Sequence, residues 1–253
     1  MFDTHCHLQD VRLCGDVDAV VARALSGGVD RMVCCAVRPS DWELVAELAL
    51  RFDVIIPAFG IHPWYADEAE SGWELELRRR LQQFSEACVG EIGLDYARRN
   101  RDDVRQQELF SGQLQIAAEM DRVVSVHCVR AWGALLKTLP QFRGLALVLH
   151  AYGGSPELTR QLLAYNVWFS FAGTVTKTGS SRIRQRVCSV PLERILLESD
   201  APDMLPYQLA GGTQNNEPCH LHFVAEAVAE CLGMGVTELC SQADANAQGL
   251  FLR

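Results

Sequence analysis

Lysine is almost absent from this chain. Only Lys137 and Lys177 occur among 253 residues, and arginine supplies the rest of the 23 basic side chains. Positive charge as a whole is outweighed, since 32 acidic residues leave a formal net charge of -9 at pH 7. That balance excludes a protein that coats nucleic acid through a broad basic surface, though not an enzyme that grips a few phosphates locally. Long apolar runs are missing too: none approaches the roughly 18 residues that span a bilayer, so no membrane partner is expected. The ten cysteines, scattered from Cys6 to Cys240, include no C-x-x-C pair and suggest no disulfide framework. Met1-Phe2-Asp3 carries no basic stretch of a secretory leader. The expectation is a reduced, cytoplasmic protein, with a monomer favoured.

What is present is an alternation. Short apolar runs recur at 2–5, 31–37, 54–61, 87–94, 123–127, 146–150, 167–171 and 195–198, several of them rich in Val and Ile. Several are continuously apolar, as strands buried on both faces should be. Helical patterns fill the intervals 16–26, 41–51, 73–85, 103–120, 131–139, 156–165 and 180–189. Ser155-Pro156-Glu157 reads as an N-cap, a first-turn proline and an acid favoured by the helix dipole. Pro218 opens a last pair of helices broken at Gly233-Met234-Gly235. Strands joined by short helical crossovers must run parallel, and eight such units close a barrel. The fold class is therefore α/β: one slightly distorted (β/α)8 TIM barrel over residues 1–253, with its site at the C-terminal face of the strands. An open doubly wound sheet is set aside because no run is followed by a Gly-rich phosphate turn. The long stretch 200–218, rich in Pro, Gly and Asn, is a candidate functional loop.

The polar residues fall where such a barrel carries its chemistry. In Asp3-Thr4-His5-Cys6-His7 the two histidines are two apart on a strand, so both imidazoles point inward while Cys6 points out. Glu91 lies in Val89-Gly90-Glu91-Ile92-Gly93-Leu94-Asp95 and reads as a strand-end residue. His127 and His150 close the fifth and sixth runs, and Asp200 follows the eighth. One histidine at a strand end is what ordinary packing also produces. Four histidines and two carboxylates at one mouth would leave buried charges without partners unless a cation joined them. His5, His7, Glu91, His127, His150 and Asp200 exceed what one divalent ion needs, so a binuclear site bridged by Glu91 fits better. Some related barrels bridge two metals with a carbamylated lysine on the fourth strand; neither Lys137 nor Lys177 lies there. Nitrogen and oxygen ligands suit two ions of Zn²⁺, Mn²⁺ or Mg²⁺. Such a pair activates a water and clamps a phosphodiester, with Glu91 and Asp200 as the catalytic carboxylates and Asp200 orienting or deprotonating the water.

Further candidates line the same mouth. His62, in Gly60-Ile61-His62-Pro63, could donate to a phosphate oxygen, and Trp64 or Tyr65 could stack on a base. Arg98, in the run 98–101, offers a local phosphate contact, and Arg130 and Lys177 are substrate-binding candidates. Aromatics capping the core and a solvated charged loop are the plainer readings of these segments.

These motifs carry a resemblance. Phe2-Asp3-Thr4-His5-Cys6-His7-Leu8, Gly60-Ile61-His62-Pro63, Gly90-Glu91-Ile92-Gly93-Leu94-Asp95-Tyr96, Phe110 with Gln113-Leu114, Val126-His127, Val148-Leu149-His150 and Leu197-Glu198-Ser199-Asp200-Ala201-Pro202 run nearly end to end. In this order the chain resembles the TatD family of metal-dependent deoxyribonucleases, within the amidohydrolase-like barrels. The resemblance implies one metal on His5, His7, Glu91 and Asp200, and a second on Glu91, His127 and His150. It also implies a phosphate contact from His62, a supporting place for Asn216-Glu217-Pro218, and removal of nucleotides from 3′ ends of DNA, the DNA being substrate rather than stable partner. Two segments depart from the family pattern: Ala151-Tyr152-Gly153-Gly154 replaces a more usual phenylalanine-serine-glycine, and Arg130 comes later after His127 than is common. An amide or ester hydrolase, such as a D-aminoacyl-transfer-RNA deacylase, would use the same metals. A non-catalytic metal-binding barrel would be marked by a lost ligand.

Overall fold

A computed structural model of the chain describes residues 1–212 and 215–252. Its centre is one sheet of eight parallel strands in chain order. They are β1 (Phe2–Cys6), β2 (Arg31–Cys35), β3 (Ile55–Phe59), β4 (Cys88–Asp95), β5 (Val124–Val129), β6 (Leu147–Leu149), β7 (Val167–Phe171) and β8 (Ile195–Leu197). The helices are α1 (Val11–Cys14), α2 (Val17–Ser26), α3 (Trp42–Arg51), α4 (Trp73–Gln83), α5 (Asp103–Glu119), α6 (Trp132–Thr138), α7 (Pro156–Leu162), α8 (Ser181–Cys188), α9 (Leu221–Leu232) and α10 (Val236–Phe251). The expected α/β barrel is thus present. No described helix is long and apolar enough to cross a membrane. The expected long loop 200–218 contains residues 213–214, which lie outside the described residues.

The sheet closes on itself through a short seam. Thr4 Oγ1 donates to Leu197 O (3.0 Å), Asp200 N to His5 O (2.9 Å) and His7 N to Ala201 O (2.7 Å). Asp3, fully buried, accepts from Ser199 N at 2.8 Å and Ser199 Oγ at 2.5 Å. These bonds join the first strand to the turn that carries Asp200, so the two ends of the chain's site are fixed to each other.

Alternation sorts the strand residues into two cores. Val33, Cys35, Ile56, Ala58, Val148 and Leu196 fill the barrel, while their neighbours Met32, Cys34, Leu147, Leu149, Ile195 and Leu197 pack under the helices. The C-terminal end of α10 seals the bottom, with Phe251 stacked on Phe2 at 5.5 Å between ring centroids. The top half does not keep this parity. Asp3 pairs with Met32 but Cys6 with Cys34, so β1 holds one residue more than β2 between those pairs. Likewise Val89 pairs with Val124 but Ile92 with Val126. Each is a bulge, which inserts one residue and re-aims the side chains beyond it.

The bulges explain a spacing that strict alternation forbids. Phe2 and His5 are three apart yet both face inward, and so do Cys88 and Glu91. Glu91 does not end its strand, as its place in the apolar run suggests; it lies midway along β4 (Cys88–Asp95), turned inward at the bulge beside Gly90. Nearby, Gly93 sits at φ +145°, where a Cβ would lie 1.9 Å from His127 O. Only glycine permits that close approach of β4 to β5.

Candidate metal centre

The six residues singled out in the sequence converge above the barrel core. His5 and Glu91 arrive from bulged strands, and His127 lies within β5. His7, His150 and Asp200 sit just past the ends of β1, β6 and β8. Asp200 adopts φ +55°, which an aspartate tolerates better than most residues.

The ligand atoms form two groups that share Glu91. In the first, His5 Nε2 and His7 Nε2 are 3.1 Å apart. Each is 3.4 Å from Glu91 Oε2, and Asp200 Oδ1 lies 3.8 Å from His5 Nε2 and 3.4 Å from His7 Nε2. In the second, Glu91 Oε1 is 2.9 Å from His127 Nδ1 and 2.8 Å from His150 Nε2, and those nitrogens are 3.1 Å apart. Atoms bound tetrahedrally to one ion at about 2.1 Å are about 3.4 Å from each other; the first group, at 3.1 to 3.8 Å, has that spacing, and the second, at 2.8 to 3.1 Å, is drawn tighter.

Hydrogen bonds on the outer side decide which nitrogen faces in. His7 Nδ1 lies 2.7 Å from Cys35 O, and a carbonyl only accepts, so Nδ1 carries a hydrogen and Nε2 is the nitrogen left for a ligand. His5 Nδ1 is held by Ser125 Oγ at 2.8 Å. His127 Nε2 lies 3.3 Å from Asp95 Oδ2, which turns Nδ1 inward. Beneath His150, Nδ1 is 3.5 Å from Glu198 Oε1 without a hydrogen bond, and both this nitrogen and Glu198 Oε2 are buried with no partner. Glu198 Oε1 accepts from Ala151 N at 2.6 Å.

Acceptors therefore face acceptors in a buried space, and only a cation reconciles them. The side chains themselves can do so only by taking up protons. Burial works against a charged His7, but Asp200 and Glu91 outweigh it and lift its pKa to about 9. His150 is raised in the same way by Glu91 and Glu198, against its burial. Burial likewise works to raise Glu91, and the imidazoles led by His150 hold it well below the carboxylate range. His5 is lowered, by burial and then by the charge on His150 stacked 4.2 Å away between centroids. The donor set and its spacing fit divalent metal ions.

His62 is different. Its Nδ1 accepts from Trp64 N at 3.1 Å, so Nε2 bears the hydrogen. Burial keeps the ring neutral by driving its pKa well below the usual value. Nε2 lies 3.4 Å from Glu91 Oε1, an N–H at the edge of the cluster rather than a lone pair. Trp64 is 48% exposed with the Arg98 guanidinium over its ring at 4.5 Å. Tyr65 is half-buried under Arg38, 5.2 Å from the ring centroid. Arg130 is exposed at φ +55°. Lys177 lines a separate cavity of about 370 Å³ with Arg184 and α9, away from the histidines. Arg98, Arg130 and Lys177 have no carboxylate partner among the described residues, whereas Arg51, Arg78, Arg79 and Arg80 on the outer helices do. Tyr152, where the sequence departs from the family pattern, is buried in the core with its hydroxyl 3.0 Å from Thr159 Oγ1.

Sequence reasoning passes over several supporting residues. Asp95 accepts from Trp64 Nε1 (2.7 Å) and Ala97 N (2.7 Å) besides facing His127. Gln106 and Gln113 on α5 each clamp one residue by both its N and its O, Gln106 at Asp95 and Gln113 at Ile61. Asn216, for which the resemblance implies a supporting place, donates to Ser199 O at 2.7 Å, steadying the turn before Asp200. Two glutamines seven apart on the buried face of one helix are a usable signal for α5.

The profile of the TatD related DNase family matches residues 2–252. An uncharacterized metal-dependent hydrolase of Bacillus subtilis, YabD, is 30% identical, covering 99% of this chain and 98% of its own. The 3'-5' ssDNA/RNA exonuclease TatD of Erwinia tasmaniensis is 30% identical over 99% of both chains. The crystal structure of YjjV, a TatD homologue from Escherichia coli, superposes with a TM-score of 0.93 at 28% identity, covering 100% of this chain and 98% of that one. With its barrel, its converging imidazoles and carboxylates and these matches, the chain belongs to the TatD related DNase family of metal-dependent hydrolases.

Proposed function

We propose that this protein is a metal-dependent nuclease that removes nucleotides from the 3′ end of single-stranded DNA. The observation that carries it is the double ligand shell around Glu91, with a neutral histidine N–H and unpaired cations at its rim. His5, His7, Glu91 and Asp200 would hold one divalent ion, and Glu91, His127 and His150 a second. Ions of Zn²⁺, Mn²⁺ or Mg²⁺ there would supply Lewis acidity and lower the pKa of an attacking water.

The chain's own residues do the rest. His62 Nε2–H donates to a non-bridging phosphate oxygen; because burial keeps the ring neutral, that donor persists across the physiological pH range. Asp200, held below the usual carboxylate range chiefly by His7 against its burial, stays ionised to take the proton of the attacking water. Arg98 and Arg130, free of carboxylates, offer charge to the strand's phosphates. Trp64 gives a flat exposed surface for a base.

The test incubates pure protein with end-labelled single-stranded DNA, RNA and an aminoacyl-transfer-RNA mimic across Mg²⁺, Mn²⁺ and Zn²⁺. A 5′-labelled DNA should shorten in single-nucleotide steps. Hydrolysis of the ester mimic without cleavage of DNA under any metal would replace this reading with a deacylase.

A further inference from the structure

Trp64 touches the cluster in three ways. Its backbone N–H donates to His62 Nδ1 at 3.1 Å and so fixes which nitrogen of His62 faces Glu91. Its indole Nε1–H donates to Asp95 Oδ2 at 2.7 Å. Its ring carries Arg98 at 4.5 Å and stands edge-on to His62, 5.0 Å between centroids.

The bond to Asp95 matters because Oδ2 has a second client. His127 Nε2 lies 3.3 Å from the same oxygen. The indole's bond is the shorter, so Trp64 sets where Oδ2 sits, and His127 orients toward an oxygen already fixed. Ala97 N holds the other oxygen at 2.7 Å and Gln106 holds the backbone of Asp95. Of the side chains that bond the Asp95 carboxylate, Trp64 is the one that is also 48% exposed at the mouth.

We propose that Trp64 is a positioning residue that couples a nucleobase at the mouth to metal binding at the Glu91–His127–His150 group. This rests on the nuclease reading above for the identity of the occupant. A base lying on the ring confines the indole, which confines Asp95, which holds His127 with Nδ1 turned inward. By reciprocity, a metal on His127 favours the base by the same factor. Partners that orient a ligating histidine commonly govern metal affinity by about 10- to 100-fold; one step further out, about tenfold is expected for Trp64.

The experiment titrates the metal-free full chain with Mn²⁺ by calorimetry, comparing wild type with Trp64→Phe, which keeps a ring and loses the N–H. The first equivalent should bind unchanged and the second about tenfold more weakly. Repeating the titration with a phosphorothioate-ended oligonucleotide, with and without its terminal base, reads the coupling. In wild type the base should tighten the second equivalent, and in Trp64→Phe the two oligonucleotides should act alike. An unchanged second equivalent overturns the proposal, as does an equal loss at both equivalents, which marks a merely structural role. If no oligonucleotide binds either protein, the nuclease reading fails and the coupling with it, while the metal titration alone still decides whether Trp64 positions His127.

Discussion

Asp95→Asn isolates the support of His127 without changing the size of the side chain. Asp95 accepts three bonds: Trp64 Nε1 and His127 Nε2 on Oδ2, and Ala97 N on Oδ1. An asparagine has one acceptor oxygen and one NH₂. If its oxygen stays with Ala97, the NH₂ meets the Trp64 and His127 donors at 2.7 and 3.3 Å. If it flips, the NH₂ meets Ala97 N–H at 2.7 Å instead. Either way a part-buried donor loses its acceptor, which costs about 1–3 kcal/mol. His127 can relieve the first clash by moving its proton to Nδ1, but that nitrogen then has no lone pair for a metal. The metal-free variant should therefore melt roughly 2–12 °C lower, at about 2–4 °C per kcal/mol for a chain of this length. The second Mn²⁺ equivalent should weaken by about 10- to 100-fold, and turnover of 5′-labelled single-stranded DNA should fall with it. Calorimetric titration and a melting curve read both quantities. Wild-type affinity at both equivalents in Asp95→Asn would refute the reasoning, because the outward hydrogen bond would then have no hold on the ligating nitrogen.

Protons and metal compete for the same atoms. His7 keeps its proton up to about pH 9 in the chain alone, and ligation needs the lone pair, so loading releases that proton. Mn²⁺ affinity should rise at least about tenfold per pH unit between roughly pH 6.5 and 8.5; a flat profile would contradict the raised pKa. Gly93→Ala places a Cβ 1.9 Å from His127 O at φ +145°; strain and a displaced β4–β5 ladder should remove about 3 kcal/mol or more, visible as a Tm at least about 6 °C lower. Replacing Arg98 and Arg130 together by alanine should raise KM for single-stranded DNA with little change in kcat. The salt slope of binding should fall by about 0.7 for each phosphate that is no longer neutralised. Unaltered salt dependence would place the strand elsewhere.

Much of the barrel is written in local pattern. The eight short runs form eight strands within a few residues of the expected bounds, and the Val- and Ile-rich ones are plainest because a strand buried on both faces leaves few other compositions. The His-x-His pair, Glu91, His127, His150 and Asp200 are readable since each stands out against an apolar run. What is not readable depends on distant partners. Ser125 meets His5 across 120 positions and Asp95 meets Trp64 across 31; neither spacing leaves a periodic trace. The bulges are hidden for another reason. A strict alternation from His5 and His7 orients that pair correctly, but predicts the wrong parity for Phe2, and only the paired strand reveals the extra residue.

Those two extra residues divide the barrel into halves that obey different counts. Below the bulges, alternation sorts side chains for packing against α10 and the inner core. Above them, the same strands present histidine and glutamate inward on the opposite parity. The chemistry-bearing rows can thus be altered without exchanging inside for outside in the packed rows beneath. Deleting Thr4 or Gly90 would join the two counts into one, leaving His5 or Glu91 as the single residue between the flanking pairs, on the inward parity of Phe2 and Cys88.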